Sequence, residues 1–586
     1  MAYFKRDRFS GIAPGIAPRL LAEQFGQTAQ NIDFESGRLQ PLEADGTQVG
    51  SLQTGARRSI FFYDTTGTDV WLEWNEDYVK AVPGPIPNDS TARLYWTGDG
   101  DYPKMGTYAS IVSGNSGYPN VSYRLGVPAP TDAPIISQIY GTIDETITPD
   151  EVSYVYTFVT ALGEEGPPSP PTTPVQATIG SNQSIGLSLT SSGSSGNYNF
   201  GSGALKRLYK SNTGSNSTQF QFVREIPINE SSVLDFQPSS QLGELLPSGD
   251  WIGPPDDDTS LYPDGPLQGL IPVANGVFAG FSGKRFCLSE PYLPHAWPVA
   301  YRITLEESIV AIGTTSNGVV CLTNGKPYFV TGVDPSAMSP IQVDLAQACI
   351  NKHSVVDMGD YLLYAGPDGL CAVTGAEGSV VTKGLISPKQ WNSDFYPSSI
   401  RAFAHEGTYV AFWEGESNER GGWVYDPRAG EAALSTITTT EEVRGGYKNA
   451  KNGQLYLIKA ADIIPYRGGN TNRRCVWKSK KFVTPKPVSM GWVHIEADSY
   501  PTTDQNRVRV WADNVLVADY EISYSLANSG YIQQTSVPPN IANGVLREPV
   551  MRLPAVLAKE WEVEVSSVVP VNAVCLSQSA DEIQQI

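Results

Sequence analysis

Short apolar runs separated by turns recur along the middle of the chain, from about residue 269 to residue 466. Each unit has an apolar strand, a tight turn with glycine, a second apolar strand and a third strand after another gap. Residues 309–312, 319–322 and 328–330 form one such unit. Five turn glycines, 41 to 48 residues apart, mark the units: Gly276, Gly318, Gly359, Gly407 and Gly453.

A period in the forties that contains only short strands is typical of a β-propeller. One four-stranded blade cannot bury both of its faces, and stacking blades around an axis buries them. Glycine suits the turns because a two-residue hairpin needs positive φ. The alternative is a series of unrelated hairpins in a sandwich. Long stretches with a 3.6-residue period are almost absent, so the sequence predicts an all-β fold.

The same strand–glycine–strand pattern occurs once near the N-terminus, at 60–63, Gly67 and 70–74. One early unit and five later ones predict a propeller of about six blades, interrupted by an insertion. Proline-rich segments flank that insertion, and its alternating strands and loop at 191–196 fit an immunoglobulin- or fibronectin-III-like sandwich. The predicted regions are an N-terminal arm at 1–55, a first blade region at 56–129, the inserted sandwich at 130–255, the remaining blades at 256–476 and a C-terminal β-sandwich at 477–586.

The arm is punctuated by proline and carries apolar residues that we expect to be exposed on the isolated chain. They are Ile12, Ile16, Leu20, Leu21 and Phe25. An exposed apolar segment gains free energy by packing on a partner. The arm therefore favours contact with a neighbouring subunit, although packing on its own domain is also open.

Net charge limits the function of the chain. The formal charge is −20 at pH 7, and an acidic surface repels nucleic acid, so sequence-specific DNA binding is not expected. No apolar run is long enough for a membrane segment, and no secretory signal is visible. The six cysteines show no CxxC spacing, which favours free thiols and synthesis in a reducing cytoplasm.

The sequence offers no motif for catalysis, cofactor binding or a metal site. His295, His353, His405 and His494 are far apart along the chain, and GxSxG, HExxH and P-loop motifs are absent. Two acidic clusters, Asp99 with Asp101 and residues 256–258, could bind calcium, although solvated turns are the simpler interpretation. Trp71, Trp74, Tyr364, Trp413 and Trp423 could stack on sugars, but core packing is the simpler role. We therefore predict no enzyme activity, no catalytic residue, no cofactor and no metal.

Several short motifs resemble tail proteins of tailed bacteriophages. They are RLL at 19–21, AQN at 29–31, SGRLQPL at 36–42, NDSTARLYWTGDG at 88–100, YRLGVPAP at 123–130, the stretch 157–171, RLPA at 552–555 and VCLSQSADE at 574–582. The likeness spans most of the chain through short segments. It is similar to the nozzle, or tail tubular protein B, family of short-tailed phages.

The resemblance implies a structural virion protein that forms a homohexameric ring. Such a ring lies below the adaptor ring on the portal, extends and gates the DNA exit channel, and can contact tail fibres. DNA would pass through the lumen without sequence-specific binding, and the acidic charge suits that passage. The expected location is the virion tail, after synthesis in the cytoplasm of the bacterial host.

Two other functions stay open on the sequence. The chain could be a carbohydrate- or receptor-binding component of a phage tail, in which the sandwich domains contact the host surface. It could also be a propeller glycosidase, with carboxylates that converge at the axis. The sequence contains no sialidase-type Asp-box repeat that would support the second alternative.

Overall fold

The computed structural model describes residues 3–64, 68–114, 117, 119–190, 196–213, 218–429, 433–499, 506–522 and 550–584. Gly67 and most of the predicted loop at 191–196 lie outside these residues. The described chain is almost entirely β-structure and divides into two compact units, residues 1–62 with 343–586 (unit 1) and residues 63–342 (unit 2). No helix in the described part is long and apolar enough to span a membrane.

Unit 2 contains three four-stranded antiparallel sheets of the propeller-blade type. Their strands are β8 (Lys80–Pro83), β9 (Leu94–Thr97), β10 (Lys104–Gly106) and β11 (Tyr123–Arg124); β20 (Gln268–Pro272), β21 (Phe278–Ser282), β22 (Arg285–Leu288) and β23 (Arg302–Thr304); and β24 (Ile309–Thr315), β25 (Gly318–Thr323), β26 (Tyr328–Thr331) and β27 (Ser339–Gln342). Inner strands such as β25 are buried on both faces, as expected for sheets that stack. The first blade was expected to include the strands around Gly67, but its four-stranded sheet begins at β8.

The inserted domain of unit 2 is a small antiparallel sandwich around its own apolar core. Its strands are β12 (Ile135–Gly141), β13 (Asp150–Val152), β14 (Tyr154–Val159), β15 (Val175–Ala177), β16 (Gln183–Ser188), β17 (Leu205–Thr213), β18 (Thr218–Pro227) and β19 (Ser232–Asp235). One sheet has the order β12-β16-β19 and the other β14-β17-β18, while β13 pairs with β15. Unit 2 also contains strand β7 (Val70–Trp74) and the short helix α1 (Tyr108–Ile111).

Unit 1 contains three more sets of four antiparallel strands of the blade type; the first and last are separate sheets, whereas the middle set is part of a ten-stranded sheet. They comprise β28 (Val356–Asp357), β29 (Leu362–Ala365), β30 (Leu370–Thr374) and β31 (Glu377–Val380); β32 (Arg401–His405), β33 (Thr408–Glu414), β34 (Arg420–Asp426) and β35 (Ala433–Ile437); and β36 (Val443–Lys448), β37 (Leu455–Lys459) and β38 (Asp462–Pro465) with β5 (Gly50–Ser51). The outer strand of the last sheet therefore comes from the N-terminal region of the chain. Helix α2 (Pro388–Asp394) follows the first of these sheets, and β6 (Ser59–Tyr63) ends at the unit boundary.

The remainder of unit 1 is a C-terminal sandwich. Its strands are β39 (Cys475–Ser479), β40 (Phe482–Val488), β41 (Trp492–Ala497), β42 (Asn506–Ala512), β43 (Val515–Ile522), β44 (Val550–Arg552), β45 (Ala558–Ser567) and β46 (Val571–Ser577), followed by α3 (Ala580–Gln584). Burial alternates strictly along β42, so one face packs on the core and the other faces outward. The described fold is thus all-β, with propeller blades, an inserted sandwich and a C-terminal sandwich.

The expectation of an exposed N-terminal arm is wrong for most of its apolar residues. Strand β1 (Tyr3–Arg6) pairs with β46, and β2 (Gly26–Gln30) pairs with β39 and β35. The short hairpin of β3 (Ile32–Asp33) and β4 (Gln40–Pro41) follows. Ile12, Leu21 and Phe25 are consequently buried in unit 1, and Ile16 packs beside them. Only Leu20, 72% exposed, remains available as expected.

Four of the five turn glycines have the positive φ that the sequence predicts: Gly276 (71°), Gly359 (97°), Gly407 (75°) and Gly453 (71°). Gly318 is different because its φ lies outside the left-handed region. A Cβ atom on Gly318 would lie 2.4 Å from the carbonyl oxygen of Val330, so close approach of the neighbouring strand requires glycine there.

Candidate functional site

A buried ionic network joins the first blade sheet of unit 2 to the inserted sandwich, and we call it the junction network. Arg93, just before β9, donates from Nε to Oδ2 of Asp89 at 2.7 Å and from Nη1 to Oε1 of Glu164 at 3.2 Å. Glu164 lies in the loop after β14. The three side chains are only 10%, 12% and 8% exposed, so the guanidinium of Arg93 compensates the buried carboxylate of Glu164 and the half-buried one of Asp89.

The turn before β9 fixes the position of Asp89 in this network. Oδ1 of Asp89 accepts hydrogen bonds from the backbone N–H of Thr91 at 3.0 Å and from its hydroxyl at 2.7 Å. Burial alone would raise the pKa of Asp89, but the hydrogen bonds from Arg93 and Thr91 outweigh it and lower the pKa to about 2. Burial raises the pKa of Glu164 despite the nearby cation of Arg93.

The neighbouring carboxylate, Glu165, extends the junction network into the sandwich. Its Oε1 accepts from the hydroxyls of Thr157 at 2.7 Å and Tyr209 at 2.6 Å, and its Oε2 accepts from Nη1 of Arg207 at 2.8 Å. His295 is buried close to the same region, and burial followed by the positive charge of Arg93 lowers its pKa to about 4. A neutral imidazole and compensated carboxylates, all buried, fit a structural joint better than a reaction centre.

Both acidic clusters that could have bound calcium hold a cation of the protein instead. Nη2 of Arg124 contacts Oδ2 of Asp256 at 3.1 Å and also pairs with Asp257, and its guanidinium lies 4.1 Å from the ring centroid of Tyr102. Asp99 accepts from Nζ of Lys104 at 2.8 Å and from the indole N–H of Trp96 at 3.0 Å. These contacts support the interpretation of both clusters as structural turns.

Calcium is therefore expected to leave the thermal unfolding of the protein unchanged. Arg124 already occupies the position between Asp256 and Asp257, and a divalent cation would have to displace it. The measurement is the melting temperature in a chelator and in about 1 mM calcium, a concentration at which weak extracellular sites are occupied. Arg124→Met is the matched control, because it frees both carboxylates. A calcium-dependent rise in the melting temperature of the unaltered protein would contradict this assignment.

The other candidate residues do not converge on a site. Among the described residues, no group of three or more His, Cys, Asp or Glu side chains could hold a metal ion. All six cysteines are buried, and all six are free, as the absence of CxxC spacing suggested. Trp74, Tyr364 and Trp423 are buried, and Trp423 packs against Tyr409 with ring centroids 5.2 Å apart. Core packing is thus the observed role of these aromatic residues.

Trp413 behaves differently, because it lines a cleft of about 820 Å³ in unit 1. The polar wall of the cleft is the run of threonines at 436 and 438–440 with Glu441, and we call this site the threonine cleft. Its floor includes Gly421 and Gly422 of β34, and Asp394 lies at the end of α2. Lys459, Arg473 and Asp45 form its charged end.

Sequence reasoning missed the junction network, the threonine cleft and a buried ion pair in the sandwich. Lys210 and Asp235 are both 0% exposed, with Nζ and Oδ2 2.9 Å apart. A signal for Lys210 was present, because Lys206, Leu208 and Lys210 share one face of a strand and Leu208 is the apolar member. Asp89 and Arg93 both lie in the motif at 88–100, and the motif alone does not indicate that they form an ion pair.

Comparisons with known proteins add no assignment. No family model matches the chain, and no curated protein matches it. Solved structures give only distant likenesses. Hsv2 from Kluyvelomyces marxianus is 7% identical over 44% of this chain and 69% of that one, with a TM-score of 0.22. The N-terminal domain of Nup159 is 9% identical over 57% of this chain and 85% of that domain, with a TM-score of 0.22. An exo-beta-1,3-galactanase from Phanerochaete chrysosporium is 9% identical over 53% of this chain and 95% of the galactanase, with a TM-score of 0.19. Alignments this weak carry no argument about function.

Proposed function

We propose that the chain is a structural virion protein of a tailed phage, the subunit of a nozzle ring that extends and gates the DNA exit channel. The observation that carries the proposal is where the phage-like motifs lie in the fold. Residues 88–100 supply Arg93 and residues 157–171 supply Glu164 to the junction network. Residues 123–130 supply Arg124, which pairs with Asp256 and Asp257. The resemblance therefore reaches the residues that connect the inserted domain to the first blade.

The N-terminal motifs support the proposal in the same way. Asn31 has a φ of 54°, and its Nδ2 donates to Oγ1 of Thr438 at 2.8 Å and to the carbonyl of Arg474 at 2.9 Å. Leu39 is fully buried and forms a bridge with Val571. The motifs at 29–31 and 36–42 thus anchor the arm within unit 1, which supports a role for them in the architecture of the subunit rather than on its surface.

The described sheets also suit this role. Five separate four-stranded sheets, three in unit 2 and two in unit 1, have the blade pattern, and four consecutive strands of a larger sheet in unit 1 repeat it. We propose that each of these six sets is a propeller blade. Among the described residues, the charged groups of the junction network are satisfied within the chain and no metal cluster is present. A building block of a virion needs such internal compensation and broad polar surfaces for subunit contacts.

Ring formation follows from head-to-tail contacts that repeat by rotation, and we propose six copies docked on the adaptor ring of the portal, with tail fibres as further partners. The charge of −20 per chain favours an acidic lumen that repels the DNA backbone and lets the duplex slide. Leu20, an exposed apolar residue of the arm, is available for a contact with a neighbour. Reconstruction of the tail of the particle that carries this chain tests the proposal.

A further inference from the structure

We propose that the threonine cleft of unit 1 is a binding site for a neutral oligosaccharide. The cleft volume, about 820 Å³, falls within the range of about 300–1,000 Å³ typical of small-ligand sites. The proposal goes beyond the nozzle assignment and is independent of it, because it rests on the lining residues alone. It involves binding without a chemical reaction.

The charges of the lining argue against an anionic ligand. Asp45 pairs with Lys459 and, at 2.7 Å, with Nη2 of Arg473. Burial would raise the pKa of Asp45, but the cations of Arg473 and Lys459 outweigh it, so the pKa is lowered and the group is anionic at neutral pH. Nη2 of Arg420 pairs with Oε1 of Glu414 at 3.0 Å. Nζ of Lys459 also lies 3.9 Å from Oε2 of Glu441, so three carboxylates balance these three lining cations within the chain.

The hydrogen-bonding groups of the cleft suit a ligand that both donates and accepts. The exposed hydroxyl of Thr440 can do both, and the exposed carboxylate of Asp394 can accept. The hydroxyls of Thr436 and Thr439 already donate to backbone carbonyls within the chain. Trp423 adds apolar surface rather than a hydrogen bond, because its side chain is buried and packs against Tyr409.

The aromatic part of the cleft is rigid. The ring of Trp413 stacks on Tyr396 with centroids 4.5 Å apart. A Cβ atom on Gly421 would lie 2.4 Å from Cζ2 of Trp413, so only glycine on β34 allows the indole to lie where it does. A fixed apolar surface beside hydroxyl and carboxylate groups is the combination that recognises a sugar ring, whose C–H groups and hydroxyls need different partners.

Affinity electrophoresis of the full chain in gels that contain dextran, mannan or the polyanion alginate tests the proposal. We expect dextran or mannan to retard the unaltered protein. Thr440→Val removes an exposed hydroxyl and Asp394→Asn removes a charged acceptor, each with little change of volume, so each should weaken retardation about tenfold. Thr374→Val is the matched control, since Thr374 is an exposed threonine of β30 in the same unit and outside the cleft.

Each outcome of the electrophoresis experiment either supports or overturns the proposed binding site. Retardation by a neutral polysaccharide that is lost in the cleft variants and kept in Thr374→Val supports the proposal. Retardation by alginate alone overturns it, because the ligand would then be anionic. Equal retardation of all variants, or no retardation by dextran or mannan, also overturns it. Thermal unfolding of each variant, expected to match that of the unaltered protein, excludes misfolding as the cause. None of these results depends on whether the chain forms a ring.

Discussion

Replacing Lys210 by methionine is expected to lower the stability of the inserted sandwich by about 3–5 kcal/mol, as is typical when one partner of a buried ion pair is removed. Lys210 and Asp235 are fully buried, and Tyr154 also donates to Oδ2 of Asp235 at 2.7 Å. Methionine fills similar volume but leaves the carboxylate of Asp235 without its cation. Native-state hydrogen exchange of the amides of β14 and β17 in the full chain measures the loss locally.

The double variant Lys210→Met with Asp235→Leu should recover much of that stability, because no uncompensated charge remains in the core. Lys389→Met, at an exposed position of α2, is the matched control and should change the exchange of the sandwich amides very little. Loss of protection below about 1 kcal/mol in Lys210→Met would show that water reaches Asp235 and would contradict the buried pair.

Arg93→Met is expected to destabilise the junction between β9 and the sandwich to a similar extent, about 3–5 kcal/mol at pH 7, because it leaves the buried carboxylate of Glu164 without a cation. Glu164 has a raised pKa in the fold, and loss of Arg93 would raise it further. A group with a raised folded pKa contributes stability below its unfolded pKa, about 4.3, and loses it as the pH rises. The deficit of Arg93→Met should therefore be larger at pH 7 than near pH 4.

Urea unfolding at both pH values, with hydrogen exchange of β9 to localise the effect, measures this difference. Adding Glu164→Gln to Arg93→Met should reduce the deficit at pH 7, because the most buried unpaired carboxylate becomes neutral. Arg19→Met, at an exposed position of the arm, is the control. An equal deficit at pH 7 and pH 4 would indicate lost packing rather than unpaired charge.

The blades could be predicted from sequence because their strands are local and periodic. The predicted strands at 309–312, 319–322 and 328–330 fall within β24, β25 and β26, and each pairs with its neighbour in the chain. The turn glycines identified the hairpins, although close packing rather than positive φ explains Gly318. Short-range pairing leaves a pattern in a single window of sequence, and the all-β class follows from it.

The position of the arm could not be predicted, because β1 and β2 pair with strands more than 400 residues later in the chain. The apolar pattern of residues 12–25 is the same whether the segment packs into the core of its own chain or into that of a neighbouring subunit. The junction network and the threonine cleft depend on similarly remote residues, for example Arg93 with Glu164 and Asp45 with Arg473. Composition and residue spacing along the chain do not indicate which of these remote residues contact each other.

The central claim is that this chain forms a nozzle ring, and a cryo-electron-microscopic reconstruction of the phage tail tests it most directly. We expect about six copies in a closed ring around the DNA path, below the adaptor, with acidic side chains concentrated on the inner wall. A trimeric peripheral fibre built from this chain would contradict the nozzle assignment, and a closed ring with a basic inner wall would contradict the account of DNA passage.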